Sequence, residues 1–416
     1  MDATPPLRVG VIGGGIVGIC SALALREAGH AVTVIERHQP GQGTSSGNAG
    51  VISPWSIAPQ AMPGIWRAIP GMVLRPYGAA GVALSHGPRY LKWLVRFLRE
   101  ARPARVAANA NAMHVLCDDS PALYRQLLAG TGHENLIADS MYVHAFRDPG
   151  SADINALGYR LRIEKGADVE QIGGDALRQL EPALSRAFKS AILIKGQARA
   201  LDPGKIGAVL ADKLVSQGGQ IEQGTVSALS QQDHGWSVVT DAQTHIFDKV
   251  VLAAGAWSAK LLAPLGIKVP LAAERGYHVA YPDTGLTLNN SIMDVAGHAV
   301  ASSMNGALRV AGIAEFAGTE TPPNPRRIEA VRRTAVAMFP ELEGQRFDSW
   351  MGVRPSFPDS LPILDEVAGR PGLICAFGHS HYGLMMAPKT GRFVASLASG
   401  LPQNINTAAY SASRFL

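Results

Sequence analysis

Cysteine is scarce in this chain. Cys20, Cys117 and Cys375 lie far apart with no CxxC spacing. Neither a disulfide framework nor a zinc site is indicated, and a reducing, cytoplasmic compartment is the simplest expectation. Charge is thin as well: 17 % of residues are Asp, Glu, Lys or Arg, and 38 basic against 33 acidic side chains leave a net charge of +5. No dense Lys/Arg block is interleaved with aromatics, which argues against nucleic acid. A long unbroken apolar run is also missing. Residues 9–25 carry no charge but include Gly13, Gly14 and Gly15, and they are short for a membrane span. Internal repeats and low-complexity tracts are absent. What remains is a globular composition, 47 % apolar over 416 residues, long enough for two domains.

The clearest pattern lies in the first forty residues. Arg8–Ile12 reads as a buried strand, Ile16–Ala28 as a helix stopped by Gly29, and Ala31–Ile35 as a second strand ending at Glu36. Gly13-x-Gly15-x-x-Gly18 stands between strand and helix. The first glycine permits a tight turn, the second lets a pyrophosphate approach the backbone, and the third lets helix and strand pack closely. The helix start at Ile16 and Val17 offers free N–H groups to phosphate, and Glu36 is placed to accept from ribose hydroxyls. This motif alone does not separate NAD from FAD.

Three further segments point to FAD. Residues 38–66 contain no Asp, Glu, Lys or Arg, and within them Gly43-Thr44-Ser45-Ser46-Gly47-Asn48-Ala49-Gly50 supplies hydroxyl and amide donors for a diphosphate and a flavin ring. Val250–Ser258 is a buried strand that breaks at Ala254, Gly255 and Trp257, where another backbone can approach. Gly378-His379-Ser380-His381-Tyr382-Gly383 lies between a strand, Leu373–Phe377, and a final helix from about Leu384. That helix N-terminus suits the electron-rich end of a reduced flavin. Elsewhere, helix patterns cover residues 87–128, 205–217 and 325–338. Strand patterns cover 236–254, read as two strands, and 275–315.

With Val11–Gly18, Glu36-Arg37, Thr44–Gly50, Leu252–Trp257, Gly352-Val353-Arg354-Pro355, Pro358-Asp359 and Gly378-His379 together, the chain resembles the D-amino-acid oxidase/dehydrogenase family of flavoproteins. It is most similar to the family's bacterial D-amino-acid dehydrogenase branch, over nearly its whole length. The resemblance implies an α/β plus α+β fold, in which a Rossmann-type FAD-binding domain is interrupted by a mixed-sheet substrate-binding domain. The expected division is 1–75, 195–272 and 345–416 for FAD, with 76–194 and 273–344 for substrate. The resemblance also implies that Val226, on a strand, brackets the adenine. In some sarcosine-oxidising relatives a cysteine near the GxRP segment holds the flavin covalently. Gly352 stands there in this chain, so non-covalent FAD is expected.

Arg354 is the first candidate for the substrate carboxylate, because a guanidinium meets a carboxylate with two parallel hydrogen bonds. Pro355 and Pro358 hold that stretch extended. The competing reading is a structural arginine paired with an acid such as Asp359. In Glu274-Arg275-Gly276-Tyr277-His278, Arg275 and Tyr277 share one face of a strand and His278 the other. Tyr277 either donates to the substrate carboxylate and closes the pocket, or packs in the core. Arg309 and Glu315 face the same way along a strand, which favours a salt bridge over a pocket role. His379 and His381 are the nearest titratable groups in the flavin loop: one takes the ammonium proton, or both support the loop.

Residues 87–106 carry Arg89, Lys92, Arg96 and Arg99 on one helical stripe and Leu91, Leu94, Val95 and Leu98 on the other, with Trp93 and Phe97 nearby. That is either a basic helix on an anionic membrane, at the inner face of the cytoplasmic membrane, or an ordinary surface helix. The leading expectation is a D-amino-acid dehydrogenase that takes hydride from Cα and passes electrons to a quinone or a partner protein. Its rivals are a glycine/sarcosine-type amine oxidase and the flavin subunit of a hetero-oligomeric D-(hydroxy)proline dehydrogenase. The three extra segments disfavour a nicotinamide enzyme.

Overall fold

The computed structural model describes residues 6–74, 77–82 and 87–415. The chain opens with β1 (Arg8–Ile12), α1 (Ile16–Glu27) and β2 (Ala31–Glu36). β3 (Val51–Ile52) is followed by α2 (Ile65–Leu74), β4 (Ala80–Val82), α3 (Gly87–Glu100), α4 (Pro103–Cys117) and α5 (Ser120–Leu128). Next come β5 (Ile137–Phe146), α6 (Leu157–Glu164), β6 (Val169–Gly173), α7 (Gly174–Leu180) and β7 (Ser190–Ala200). α8 (Pro203–Ser216) leads to β8 (Gln220–Gln223), β9 (Val226–Gln232), β10 (Gly235–Thr240), β11 (Thr244–Phe247), β12 (Lys249–Leu252) and α9 (Ser258–Leu262). β13 (Ala272–Pro282), β14 (Ser291–Asp294), β15 (Ala299–Met304) and β16 (Ala307–Phe316) precede α10 (Pro325–Met338). β17 (Asp348–Ser356), β18 (Ile363–Glu366), β19 (Leu373–Phe377) and α11 (Gly383–Ala398) complete the sequence of strands and α-helices.

A six-stranded sheet runs β18-β19-β12-β1-β2-β8. Its strands are parallel except for β18 at one edge. Alternation along these short apolar strands feeds two cores. Val9, Val11, Val32 and Val34 pack on the side of α1, α8 and α11. Ile12, Ile35, Val250 and Leu252 pack on the opposite side, with Trp236 and Phe247 of the three-stranded sheet β11-β10-β9. β1 lies at the centre, so the crevice at its carboxyl end is where a doubly wound sheet takes its ligand.

The larger sheet has ten strands, ordered β17-β13-β16-β15-β14-β5-β7-β3 with β4 on β16 and β6 on β7. Val143, Val279, Ile292 and Val310 from this sheet meet Val331, Ala335 and Met338 of α10. The Asn324 side chain caps α10 by accepting from Arg326 N at 3.1 Å, which accounts for its start at Pro325.

The strands redraw parts of the expected division. Residue 195 falls inside β7, and β17, expected with the cofactor half from residue 345, hydrogen-bonds to β13 in the larger sheet. The expected boundary at 75/76 lies outside the described residues. The span 236–254 forms three strands, not two, because Thr240 Oγ1 accepts from Ala242 N and Gln243 N and turns the chain between β10 and β11. β17 tolerates Gly352 and Pro355 because it is an edge strand.

Candidate active site

A cavity of about 1750 Å³ lies between the sheets, well beyond the roughly 300–1,000 Å³ of an ordinary small-ligand site. Its first wall is the turn after β1. Gly13 has φ of +107°, and a Cβ there would come 2.5 Å from Ala253 O. A Cβ on Gly18 would come 1.9 Å from Gly13 O, so this residue permits the packing of α1 without lining the cavity. The N-cap Gly15 has no side chain to cap α1, whose N-terminal turn borders the ligand space at Gly15, Ile16 and Val17. Ile16 N donates to Ser45 Oγ at 3.0 Å. Glu36 ends β2, with Oε2 accepting from Gly14 N at 2.6 Å. Arg37 lies 3.8 Å over the Trp257 ring, and Val226, Ala254 and Gly255 border the same end.

The loop after β2 is pinned from below. Thr44 Oγ1 donates to Val353 O at 3.0 Å, and Asn48 Oδ1 accepts from Gly50 N at 2.8 Å. Arg309 Nη1 donates to both Ser46 O and Asn48 O at 2.8 Å. Thr44, Ser45, Asn48 and Ala49 line the cavity; Gly50 instead joins β3 to β7 through Ala200 N. At the far wall Gly378, Tyr382, Gly383 and Leu384 border the cavity at the start of α11, again without a side-chain cap. None of the three cysteines lines the cavity.

β13 and β17 form a ladder beneath this space. Its rungs are Glu274 opposite Arg354, Gly276 opposite Gly352, and His278 opposite Trp350. The first is an ion pair, Arg354 Nη1 to Glu274 Oε1 at 2.8 Å. The last is a stack with ring centroids 5.1 Å apart. A Cβ on Gly276 would lie 2.1 Å from Arg354 Nη2, and one on Gly352 would lie 2.0 Å from the Trp350 ring. Both long side chains thus fold over the bare middle rung. Arg354 lines the cavity, with Nη1 committed to Glu274 and to Ile313 O at 3.0 Å. Its Nε and Nη2 have no hydrogen-bond partner among the described residues. Burial alone would raise the pKa of Glu274, but Arg354, His381 and the Ser356 hydroxyl together hold it below the usual carboxylate range.

Several expected roles change. Tyr277 is 1 % exposed. Its hydroxyl donates to Glu315 Oε2 at 2.5 Å and accepts from Asn324 N at 3.2 Å, so it has no proton left for a substrate carboxylate. Burial and Glu315 push its pKa up to about 12. Glu315 pairs with Arg275 at 3.3 Å and Arg327 at 3.6 Å. Arg309 holds the loop instead, so the salt bridge expected between Arg309 and Glu315 does not form; six residues of strand separate them too far. Asp359, the expected alternative partner of Arg354, pairs with Arg414 at 2.7 Å.

His379 is buried, its Nε2 3.0 Å from Thr390 Oγ1, and burial pushes its pKa down to about 3. That makes it a support for the loop. His381 lines the cavity and is exposed, with Nδ1 2.8 Å from Gln60 Nε2. Burial pushes its pKa down to about 4 against the pull of Glu274. On α3 the buried stripe is Trp93 and Phe97, while Leu91 and Val95 are exposed beside Lys92, Arg96 and Arg99; the Arg89 side chain lies outside the described residues. Glu274, Tyr142, His144 and Arg162 line the cavity without having been singled out. Tyr277 lines the cavity as well, beside Glu274 and Gly276, while His278 does not.

One ligand space runs from backbone amides suited to phosphate to an arginine suited to carboxylate, and this layout defines a dinucleotide-dependent oxidoreductase. Residues 8–397 match the sequence profile of the DAO family, FAD dependent oxidoreductase. The chain belongs to that family, and FAD is its cofactor. It is 38 % identical to a D-amino-acid oxidase of Bradyrhizobium diazoefficiens, over 98 % of this chain and 99 % of the relative. It is 30 % identical to D-amino acid dehydrogenase 2 of Mesorhizobium japonicum, over 96 % and 98 %. The fold is similar to glycine oxidase from Geobacillus kaustophilus, with TM-score 0.78, 22 % identity, and 99 % and 100 % of the two chains covered.

Proposed function

We propose that the chain oxidises the α-carbon of a small D-amino acid. The observation that carries this reading is Arg354, whose unpaired edge enters the cavity beside the bare Gly276–Gly352 rung. The names of the relatives that match over the full chain support it. Glu36, Ser45, the α1 amides and the start of α11 would hold FAD, which when bound supplies the acceptor for the hydride on that carbon. Arg354 takes the substrate carboxylate through Nε and Nη2. Glu274 balances the arginine's charge before substrate arrives. His381, neutral at pH 7, accepts from Gln60 Nε2 on Nδ1 and so keeps its proton on Nε2 as a donor for the substrate carboxylate, while His379 and Thr390 fix the loop. Ile313, Val300 and Met293 wall off water. The oxidised substrate leaves as an imino acid, which water hydrolyses.

The test is anaerobic flavin absorbance against D- and L-amino acids, D-proline, glycine and sarcosine. Bleaching by D-compounds is the expected result. Bleaching by glycine or sarcosine alone would turn the reading towards an amine oxidase. A yellow protein that nothing bleaches would sink the stand-alone reading and favour a missing partner subunit.

For the electrons we infer an acceptor at a membrane surface. Trp66 on α2 and Leu91 and Val95 on α3 are 60 %, 61 % and 43 % exposed, next to Lys92, Arg96 and Arg99. Apolar side chains amid basic ones suit an anionic lipid interface. Among the described residues no helix is long and apolar enough to cross a membrane. Co-sedimentation with phosphatidylglycerol vesicles but not with neutral ones is expected, and no binding to either overturns it.

A further inference from the structure

β5 and α6 bring three polar side chains to the cavity wall: Tyr142, His144 and Arg162. Tyr142 and His144 are two apart on one strand and share a face, their rings meeting edge-on at 4.6 Å. Arg162 is 9 % exposed. Its Nε donates to Trp55 O at 2.9 Å and its Nη1 to Gly158 O at 2.7 Å. Among the described residues no carboxylate pairs with it, and Nη2 has no hydrogen-bond partner. Burial lowers its pKa, with tyrosines the only groups pulling the other way. A buried guanidinium without a counter-ion is costly, in contrast with Arg354, which Glu274 neutralises.

His144 repeats the pattern. It is nine-tenths buried, Nδ1 lies 2.8 Å from the Tyr159 hydroxyl, and Nε2 is buried without a partner. With Tyr159 donating to Nδ1, the ring proton sits on Nε2. Burial, then Arg162, pushes its pKa down to about 3, so it is a neutral donor at pH 7. The Tyr142 hydroxyl also has no partner among the described residues. The cluster therefore offers donors and one uncompensated positive charge. It borders the same part of the cavity as the Glu274–Arg354 pair: Tyr382 is within electrostatic reach of both Arg162 and Glu274.

We propose that Arg162, Tyr142 and His144 form a second anion subsite that binds the side-chain carboxylate of an acidic D-amino acid, while Arg354 holds its α-carboxylate. This rests on the D-amino-acid reading above and names the substrate class within it. A site with one balanced and one unbalanced arginine accommodates a dicarboxylate better than a neutral amino acid.

The FAD-loaded enzyme is assayed with D-glutamate and its neutral isostere D-glutamine, and glutarate binding is measured by calorimetry. D-Glutamate is expected to be the better substrate. Arg162→Met lowers kcat/KM for D-glutamate about 100-fold more than for D-glutamine, since the lost bonds are charge-assisted. Arg162→Lys recovers part of the ratio, and glutarate affinity falls in step. Tyr142→Phe removes only a hydroxyl and lowers the same ratio about fivefold, which keeps the test open if Arg162→Met does not fold. A ratio unchanged in both variants, or equal losses on both substrates, overturns the subsite. If no amino acid reduces the flavin yet glutarate binds and needs Arg162, the substrate reading fails and the subsite stands. Reduction by neutral D-amino acids with no glutarate binding sinks the subsite alone.

Discussion

At the β1–α1 end the cavity is walled by backbone, and at the β13–β17 end by side chains. The first end is built from glycines within six residues and from helix amides that any sequence possesses. The second assembles Tyr142, Arg162, Glu274, Arg354 and His381, which are scattered over most of the chain. Backbone recognition tolerates no added bulk and depends little on any one side chain. Side-chain recognition leaves room but fails when one charge is removed.

The largest effect should therefore come from an added side chain at the cofactor end. Gly18→Val places carbon where Gly13 O now lies, and purified protein should carry almost no flavin, read as the flavin-to-protein ratio. Ser45→Ala, a side-chain loss beside it, should weaken FAD binding only about fivefold, the worth of one hydrogen bond of about 1 kcal/mol. Equal losses in the two variants would break the contrast. At the other end, Arg354→Met should keep its flavin and lose roughly 100- to 1,000-fold in kcat/KM for D-amino acids, because breaking a buried ion pair costs about 3–5 kcal/mol.

Acid should attack the side-chain end first. His144 and His379 are pushed from 6.5 to about 3, and His278 and His381 to about 4, chiefly by burial. As pH falls through 6.5 the unfolded chain takes these protons and the folded chain does not. Stability is full above 6.5 and is lost as pH drops towards 4 and then 3. Melting midpoints across that window should show a shallower fall for His379→Gln than for the parent. The smallest effect belongs to Tyr277→Phe. It should cost about 1 kcal/mol of stability with the lost Glu315 bond and leave KM unchanged. A large rise in KM would return Tyr277 to the substrate site.

The same contrast decides what was legible beforehand. Gly13, Gly15, Gly18 and Glu36 keep a fixed spacing because one turn and one helix impose it, so β1, α1 and β2 were readable to within a residue. α10 and β19 were readable from periodicity and flanking signals. The substrate end is united only by topology. Alternation showed that Tyr277 and His278 face opposite ways, but Glu274 and Tyr277 both border the cavity, and only the bonds of the Tyr277 hydroxyl to Glu315 and Asn324 set the two apart. Tyr142 and Arg162 lie on different elements of an insertion whose approach to the cofactor no local pattern encodes. β17 was hidden because Gly352 and Pro355 break a strand pattern that an edge strand does not need.

His278 and Glu274 stand four residues apart on β13, roughly 13 Å at ~3.3 Å per residue. His278 Nδ1 lies 3.2 Å from Gly47 O in the loop after β2, and Glu274 holds Arg354, the arginine proposed to meet the substrate. The strand is thus a rule on which the spacing between the two ligands is counted in whole residues. Walls elsewhere can widen or narrow for a new side chain while the marks on this rule stay put. A single inserted residue between them would do more than lengthen the gap: it would turn one of the two side chains to the wrong face.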